Sequence, residues 1–594
     1  MTGRFRSPAI NTCLGLLILG LSGCGASPLP EAGLSTPAPR DEAGFRVGAA
    51  RVDSTPALPI CTGGYGIFCN RRPVSVRINA LGEEDRLFTR AAVFESDGGK
   101  LVIVTTSAIG LFAAYRPVDG LFNAPPGLQA TRERIAQRLG IAPQQVLIQP
   151  DHSHYAADTV GIWGGATDPD VFFRSLTQIS DAMVEAAVAA DAAKRPASLW
   201  VGTVQADQIV CPEAVPKCEL SSLYNFEPNL WVDNEFRVLE ARDGDGQRIL
   251  TLANYSTHAT VLNGIAEDIT LSADWTGWFA AAEDETPERD GCGGADQRPC
   301  AVGMATLGTL GRTDFNDALP GITEDATELE RNLARERAAR LRLDYFMALL
   351  REEQSADCRP DAPAPCVMPL TPMRATGIDV AERLISEVVI QPVFYANYLP
   401  FVGLPPQLGS QLGIDSEFVT STASIERSNR PPWLSANVIA TPVSAARLGS
   451  IFFGVAPGEQ FPNSQQQLRD EGGVVGPSHH FFLGVTNDFI GYMAPTTTYD
   501  QVTAQGLAFL AGCPENNLND AGTTLLGPPL AAIGYEAGRL FDPTCPDHWI
   551  LMASATVGDH VTCSVAALAE EVGFTTGVLD AACAALTATD RAVE

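Results

Sequence analysis

Short apolar runs that stop at turn-forming residues, interleaved with two long stretches of helical period, constrain this chain most. Ala91-Ala92-Val93-Phe94 and Leu101-Val102-Ile103-Val104 flank Ser96-Asp97-Gly98-Gly99, and continuous apolar runs around a turn signal predict buried strands. Val146-Leu147-Ile148 predicts another strand, after helical spacing at 131–139. Residues 236–240 and 249–252 enclose Asp243-Gly244-Asp245-Gly246, the signature of a hairpin. Helices are predicted over 170–192, behind the Asp168-Pro169 start signal, and over 328–353. A Pro- and Cys-containing loop fills 355–370, apolar strands follow at 447–455 and 481–486, and an Ala-rich helical stretch begins at 562. This irregular alternation predicts an α/β (mixed α+β) fold of mixed sheets flanked by helices.

The first residues address the chain and do not fold with it. Arg4 and Arg6 precede a short apolar core at 13–21, and Leu21-Ser22-Gly23-Cys24 leads small residues into a cysteine. Residues 1–24 therefore read as a lipoprotein signal peptide ending at a lipidated Cys24, too short to span a bilayer, which takes about 20 apolar residues. Residues 25–43, rich in Pro and Ala, read as a tether. The expected location is the bacterial cell envelope, with the chain held to the membrane by its N-terminal lipid.

Cysteine usage agrees with export. Beyond Cys13 and Cys24 twelve cysteines remain, and eight form the close pairs Cys61/Cys69, Cys211/Cys218, Cys292/Cys300 and Cys358/Cys366. None has the two-residue gap of paired zinc thiolates, so local disulfides in an oxidising compartment are the expectation. Cys513/Cys545 and Cys563/Cys583 are further candidate pairs, although spacing leaves connectivity open. A net charge of −30 excludes a partner bound through clustered Lys and Arg, so no nucleic acid is expected. No protein partner is implied.

The seven histidines carry the chemistry. His152-Ser153-His154 follows the 146–149 strand beside Asp151, and in extended backbone residues i and i+2 share a face. Two imidazoles in one pocket suit zinc, with Asp151 behind them; the competing reading is a polar loop. His258 follows a strand in the same way, as a ligand or as a hydrogen-bonded structural histidine. His479-His480 read as loop or edge residues, and His548 and His560 have no evident partner.

Several segments, in order, resemble the neutral, non-lysosomal ceramidases. These are Val47-Gly48-Ala49-Ala50-Arg51-Val52-Asp53 with Gly63-Gly64-Tyr65-Gly66, the segment 86–91, His152-Ser153-His154, and His258 with Leu271-Ser272-Ala273-Asp274-Trp275-Thr276-Gly277. Pro457-Gly458-Glu459 and the spacing from Asn487 through Tyr492 to Tyr499 complete the series. The resemblance covers about residues 44–500 and implies a hydrolase domain there. It implies Zn2+ held by His152, His258, Glu459 and Tyr492, with His154 facing the reacting group. Read alone, Glu459 could be a carboxylate at a helix N-terminus and Tyr492 a core tyrosine with a bonded hydroxyl.

The chain departs from that pattern twice. Where the family has Gly-Asp-Val-Ser-Pro-Asn, this chain has Gly311-Arg312-Thr313-Asp314-Phe315-Asn316, so Asp314 stands in place of the serine. Only 102 residues follow Tyr492, so the family's C-terminal immunoglobulin-like domain is expected to be absent or replaced by the Gly-, Ala- and Cys-rich extension 501–594. The resulting expectation is an exported zinc-dependent amide or ester hydrolase acting on a lipid or small substrate, with N-acyl sphingolipids foremost. His154 and Asp314 would be its catalytic residues. The alternative is a catalytically altered pseudoenzyme that keeps the zinc and binds a lipid or glycan.

Overall fold

The structure is a computed structural model. It describes residues 44–64, 75–96, 99–113, 126–160, 169–213, 215, 217–222, 231–262, 270–293, 298–311, 313–315, 326–362, 365–389, 437–469, 473–495, 557–577, 581–588 and 590–592. The signal, the tether and Cys24 lie outside the described residues, as do Cys69, Cys513, Cys545, His548 and Tyr499. Residues from Arg40 onward form one compact unit.

The fold is mixed α/β, built on three five-stranded sheets. In spatial order the first sheet holds Val146–Pro150, Gly99–Thr106, Phe88–Ser96, Arg46–Asp53 and Arg195–Pro196. The second holds Val302–Leu307, Arg248–Tyr255, Glu235–Arg242, Ser198–Gln205 and Val367–Met373. The third holds His479–Leu483, Ile451–Val455, Asn437–Leu448, Ile378–Val389 and Arg591–Ala592. In each sheet the first-named edge strand runs parallel to its neighbour, and the other pairings are antiparallel.

Period-two alternation sorts the side chains into layers. Phe94, Leu101, Ile103 and Leu147 from the first sheet meet Leu199, Leu239 and Leu252 from the second and Phe453, Phe481 and Leu483 from the third in one shared core. The opposite faces are covered by helices. Val93, Val102 and Ile148 pack with Ile135 of helix Leu128–Leu139 and with Ile179 and Met183 of helix Pro169–Ala192. Phe236, Val238 and Tyr255 pack with Trp278 of helix Asp274–Glu283 and Phe346 of helix Glu328–Leu350. Val443, Ala445 and Phe482 pack with Val561, Val565 and Leu568 of helix Val557–Glu571. Burial on both faces is why these strands read as unbroken apolar runs.

Helix contact sets one glycine. A Cβ on Gly48 would lie 2.0 Å from the Ala190 carbonyl, so only glycine lets helix Pro169–Ala192 sit this close to the Arg46–Asp53 strand.

Polar groups stitch the three parallel edges together. Gln149 Nε2 of the first sheet donates to the Leu307 carbonyl (2.9 Å) and the Gly484 carbonyl (2.6 Å), and its Oε1 accepts from Leu307 N (2.8 Å). Asn254 Nδ2 of the second sheet donates to the Phe482 carbonyl of the third at 2.7 Å. Asn487, just past the third sheet's edge strand, accepts from Ile148 N of the first at 2.9 Å. All three amides are buried, and unpaired they would be costly. Together they hold the carboxyl ends of the three parallel edges at one place.

Several expectations need correction. The predicted 447–455 strand is two strands, Asn437–Leu448 and Ile451–Val455, folded back at Gly449, whose φ of 61° belongs to a tight turn. The helix expected to 353 ends at Leu350. His560 does have a partner: its Nε2 lies 2.8 Å from Asp590 Oδ1, whose other oxygen accepts from Ser564 at 2.8 Å. The described part of 501–594 consists of helices Val557–Glu571 and Ala581–Thr587, a short strand Thr575–Thr576, and the edge strand Arg591–Ala592. Disulfides join Cys211–Cys218, Cys292–Cys300, Cys358–Cys366 and Cys563–Cys583. Cys61 is also disulfide-bonded.

Candidate metal centre

Every residue singled out for the site leaves the carboxyl end of a parallel edge pair. His152 and His154 follow Val146–Pro150, and His258 follows Arg248–Tyr255. Asp314 follows Val302–Leu307, Glu459 follows Ile451–Val455, and Tyr492 follows His479–Leu483. The crevice beyond the carboxyl ends of parallel strands is where open sheets bind ligands.

The three imidazoles converge. Potential ligand atoms of His152, His154 and His258 lie within 4.8 Å of one another. Ring centroids are 5.2 Å apart for His152–His154, 5.3 Å for His152–His258 and 5.8 Å for His154–His258. They meet for a reason other than the one expected. The strand stops at Pro150, and His152 takes a left-handed φ of 52° instead of extended backbone. The turn swings both rings inward, and the surroundings hold it. Asp151 Oδ1 accepts from Ala108 N (3.1 Å) and Ser153 N (3.2 Å), while His152 N donates to the Ala108 carbonyl at 3.0 Å.

Backbone carbonyls orient two of the rings. His152 Nδ1 lies 2.5 Å from the Ile109 carbonyl and His258 Nδ1 lies 2.9 Å from the Thr313 carbonyl. A carbonyl can only accept, so each Nδ1 carries a proton and each Nε2 is left facing the centre. This is the arrangement of a metal-ligating histidine. Both Nε2 atoms face Glu459 Oε2, at 3.5 Å from His152 and 3.0 Å from His258. Burial pushes the Glu459 carboxyl up, but the facing imidazoles outweigh it and hold the group well below the usual carboxylate range. Burial, with the neighbouring His152 and His258, keeps His154 well below the usual histidine range and hence neutral near pH 7. Imidazole nitrogens and a carboxylate make a donor set that zinc accepts, so these residues fit a zinc ion.

Tyr492 pairs with Glu459 across a short parallel ladder, which places the two side by side, and its ring centroid lies 6.2 Å from that of Phe461. Glu459 itself precedes helix Pro462–Arg469 and is no part of it.

Asp314 lies in the short strand Thr313–Phe315, one residue from the carbonyl that orients His258. Its Oδ1 accepts from Thr260 Oγ1 (2.8 Å) and Phe315 N (2.7 Å), whereas Oδ2 has no hydrogen bond among the described residues. Burial pushes this carboxyl up to about 7, against the opposing pull of His258 and Thr260. Thr313, its neighbour, is fully buried, whereas Asp314 is only partly buried, as alternation along a strand allows.

Two positions near the site carried no role in the sequence analysis. A Cβ on Gly64, where φ is 83°, would lie 2.1 Å from His154 Nδ1, so the glycine turn forms the floor against which that ring rests. Asp274, at φ 56°, accepts from Val261 N (3.1 Å), Leu262 N (2.9 Å) and Trp275 N (2.6 Å), and so holds the chain just past His258. The one sequence signal for it was the Ser-x-Asp-x-x-Gly pattern at 272–277.

No protein-family model and no curated protein sequence matches this chain. Solved structures do. A neutral ceramidase from Pseudomonas aeruginosa superposes with a TM-score of 0.53 at 16% identity, covering 93% of this chain and 78% of that one. A ceramidase complexed with C2 superposes with a TM-score of 0.51 at 15% identity, covering 92% and 78%. At such identity the likeness is one of fold, and the chain is a divergent chain of ceramidase-like fold.

Proposed function

We propose that this protein is an exported, lipid-anchored hydrolase that depends on zinc and cleaves amide or ester bonds, with N-acyl lipids the foremost substrate class. The observation that carries this reading is the gathering of three imidazoles at the joined carboxyl ends of three sheets, two of them, His152 and His258, facing the buried Glu459 carboxylate. The fold likeness to neutral ceramidases supports it.

His152, His258 and Glu459 would hold the metal, with Tyr492 beside Glu459. When bound, zinc supplies Lewis acidity that polarises a carbonyl and lowers the pKa of water towards about 7. His154, neutral and pressed against the same centre, can take a proton from the attacking water or give one to the leaving group. Asp314 offers Oδ2 to the incoming water and, once ionised, acts as a base. Thr260 and the Phe315 amide fix its other oxygen.

The replacement of the family serine by Asp314 favours a second reading, a pseudoenzyme that keeps the site for lipid binding. The test is metal content of the full chain by elemental analysis, together with hydrolysis of N-acyl amide and ester substrates before and after chelation. About one zinc per chain, with hydrolysis lost on chelation and restored by zinc, is expected. Zinc without any hydrolysis would favour the binder, and hydrolysis undiminished without zinc would refute the metal mechanism.

A further inference from the structure

Both histidine segments reach the same short stretch, the first turn of helix Asp274–Glu283. Trp275 Nε1 donates to the His258 carbonyl at 3.0 Å, and the Asp274 carboxylate accepts from the amides of Val261 and Leu262, three and four residues further on. On the other side, Thr276 Oγ1 lies 2.9 Å from Asp151 Oδ2 and 2.6 Å from the Ala273 carbonyl. The other oxygen of Asp151 holds the amide of Ser153, which follows the left-handed turn at His152, and that of Ala108, whose carbonyl accepts from His152 N. A parallel bridge between Ser153 and Ala259, with His154 N donating to the Ala259 carbonyl at 3.3 Å, joins the two segments directly. Ser153 Oγ also donates to the Ser272 carbonyl at 2.9 Å, just before the helix.

We infer that Thr276 is a positioning residue for the metal centre, the hydroxyl through which one helical turn sets the His152–His154 segment in register with His258. The inference rests on the reading of the three histidines as a metal site. Four features single out Thr276. It is buried; it touches no candidate ligand; its hydroxyl faces Asp151, which holds the His152 turn; and it belongs to the same turn whose preceding two residues hold the His258 chain. An alkyl group of the same shape would keep the packing and lose the link. Residues that orient metal ligands from behind typically contribute 10–100-fold in metal affinity. One step further removed, Thr276 is expected to contribute about tenfold, the lower end of that range.

The experiment titrates the metal-stripped full chain with Zn2+, and separately with Co2+ while its visible absorption is recorded, for wild type, Thr276→Val and Thr276→Ser. The expected result is about tenfold weaker binding and a changed Co2+ spectrum for Thr276→Val, with near wild-type behaviour for Thr276→Ser. The thermal midpoint of the metal-free protein should move little between the three, because the loss lies in the arrangement of the ligands and not in the fold. Wild-type affinity and spectrum in Thr276→Val would overturn the inference while leaving the metal site standing. Failure of the wild type to bind either ion would overturn the site and the inference together. If Thr276→Val does not fold, Thr276→Ala removes the same hydroxyl without added bulk, and unchanged affinity there would be equally fatal.

Discussion

Two histidine pairs close in sequence behave in opposite ways. His152 and His154 sit beyond a strand end, where a left-handed turn brings both rings to His258 and Glu459. His479 and His480 open the strand His479–Leu483 at a sheet edge, and consecutive residues in a strand point to opposite faces. His479 Nδ1 meets Ser478 Oγ at 3.1 Å, and His480 stacks on Phe482 with centroids 6.3 Å apart. Burial lowers the pKa of His154 and of His479 alike, so a neutral imidazole alone does not mark a site. Convergence of several imidazole nitrogens around a carboxylate does, and backbone geometry supplies it.

The contrast can be broken most sharply by deleting one imidazole from each region. His258→Ala should abolish stoichiometric zinc in the full chain, whereas His480→Ala should leave the zinc content unchanged. Equal zinc in the two variants, measured by elemental analysis, would end the distinction between them.

The next largest effect is expected at Asp314. With its carboxyl pushed up to about 7, hydrolysis by the wild type should rise with pH through a limb centred near neutrality, as the base form appears. Asp314→Asn should flatten that limb and lower the rate by about 100-fold, within the range of general base catalysis. The sign for stability is opposite. A carboxyl whose folded pKa is raised stabilises the fold most at low pH, and that contribution is lost as pH climbs from the unfolded value through 7. The Asn variant should therefore gain stability relative to wild type between pH 4 and pH 8. An identical pH–rate profile in both proteins would remove Asp314 from the chemistry.

A smaller effect is expected at Gly64. Gly64→Ala puts a methyl where His154 Nδ1 lies and strains a backbone at φ 83°. The ring must shift, and hydrolysis should fall about tenfold, less than the roughly 100-fold or more of losing an acid–base group outright, with zinc binding little changed. An unchanged rate would show that His154 takes no part in the proton transfer.

Strands buried on both faces were legible because Leu101-Val102-Ile103-Val104 and Val146-Leu147-Ile148 pack helices on one side and two other sheets on the other. The turn at Gly449 was missed because the apolar residues on both sides were read as one run, although Gly449-Ser450 between Leu448 and Ile451 is a two-residue hairpin signal. The partner of His560 was missed because Asp590 lies thirty residues further on. The His152 segment was singled out on an extended backbone that the structure replaces with a left-handed turn. An extended backbone was the natural expectation from sequence, and only the Asp151, Ala108 and Ile109 contacts make the left-handed turn tolerable.

By itself the sequence determined which residue types could do chemistry and which runs had to be buried, because both are local properties of composition and period. It also pointed to the close cysteine pairs, and the structure joins Cys211–Cys218, Cys292–Cys300 and Cys358–Cys366. The tertiary structure alone decided that loops from three different sheets meet. That meeting depends on Gln149, Asn254 and Asn487 joining strands more than 50 residues apart in the chain. Contacts of that span leave no periodic trace, because hydrogen bonding across sheets depends on where each strand lies and not on what precedes it.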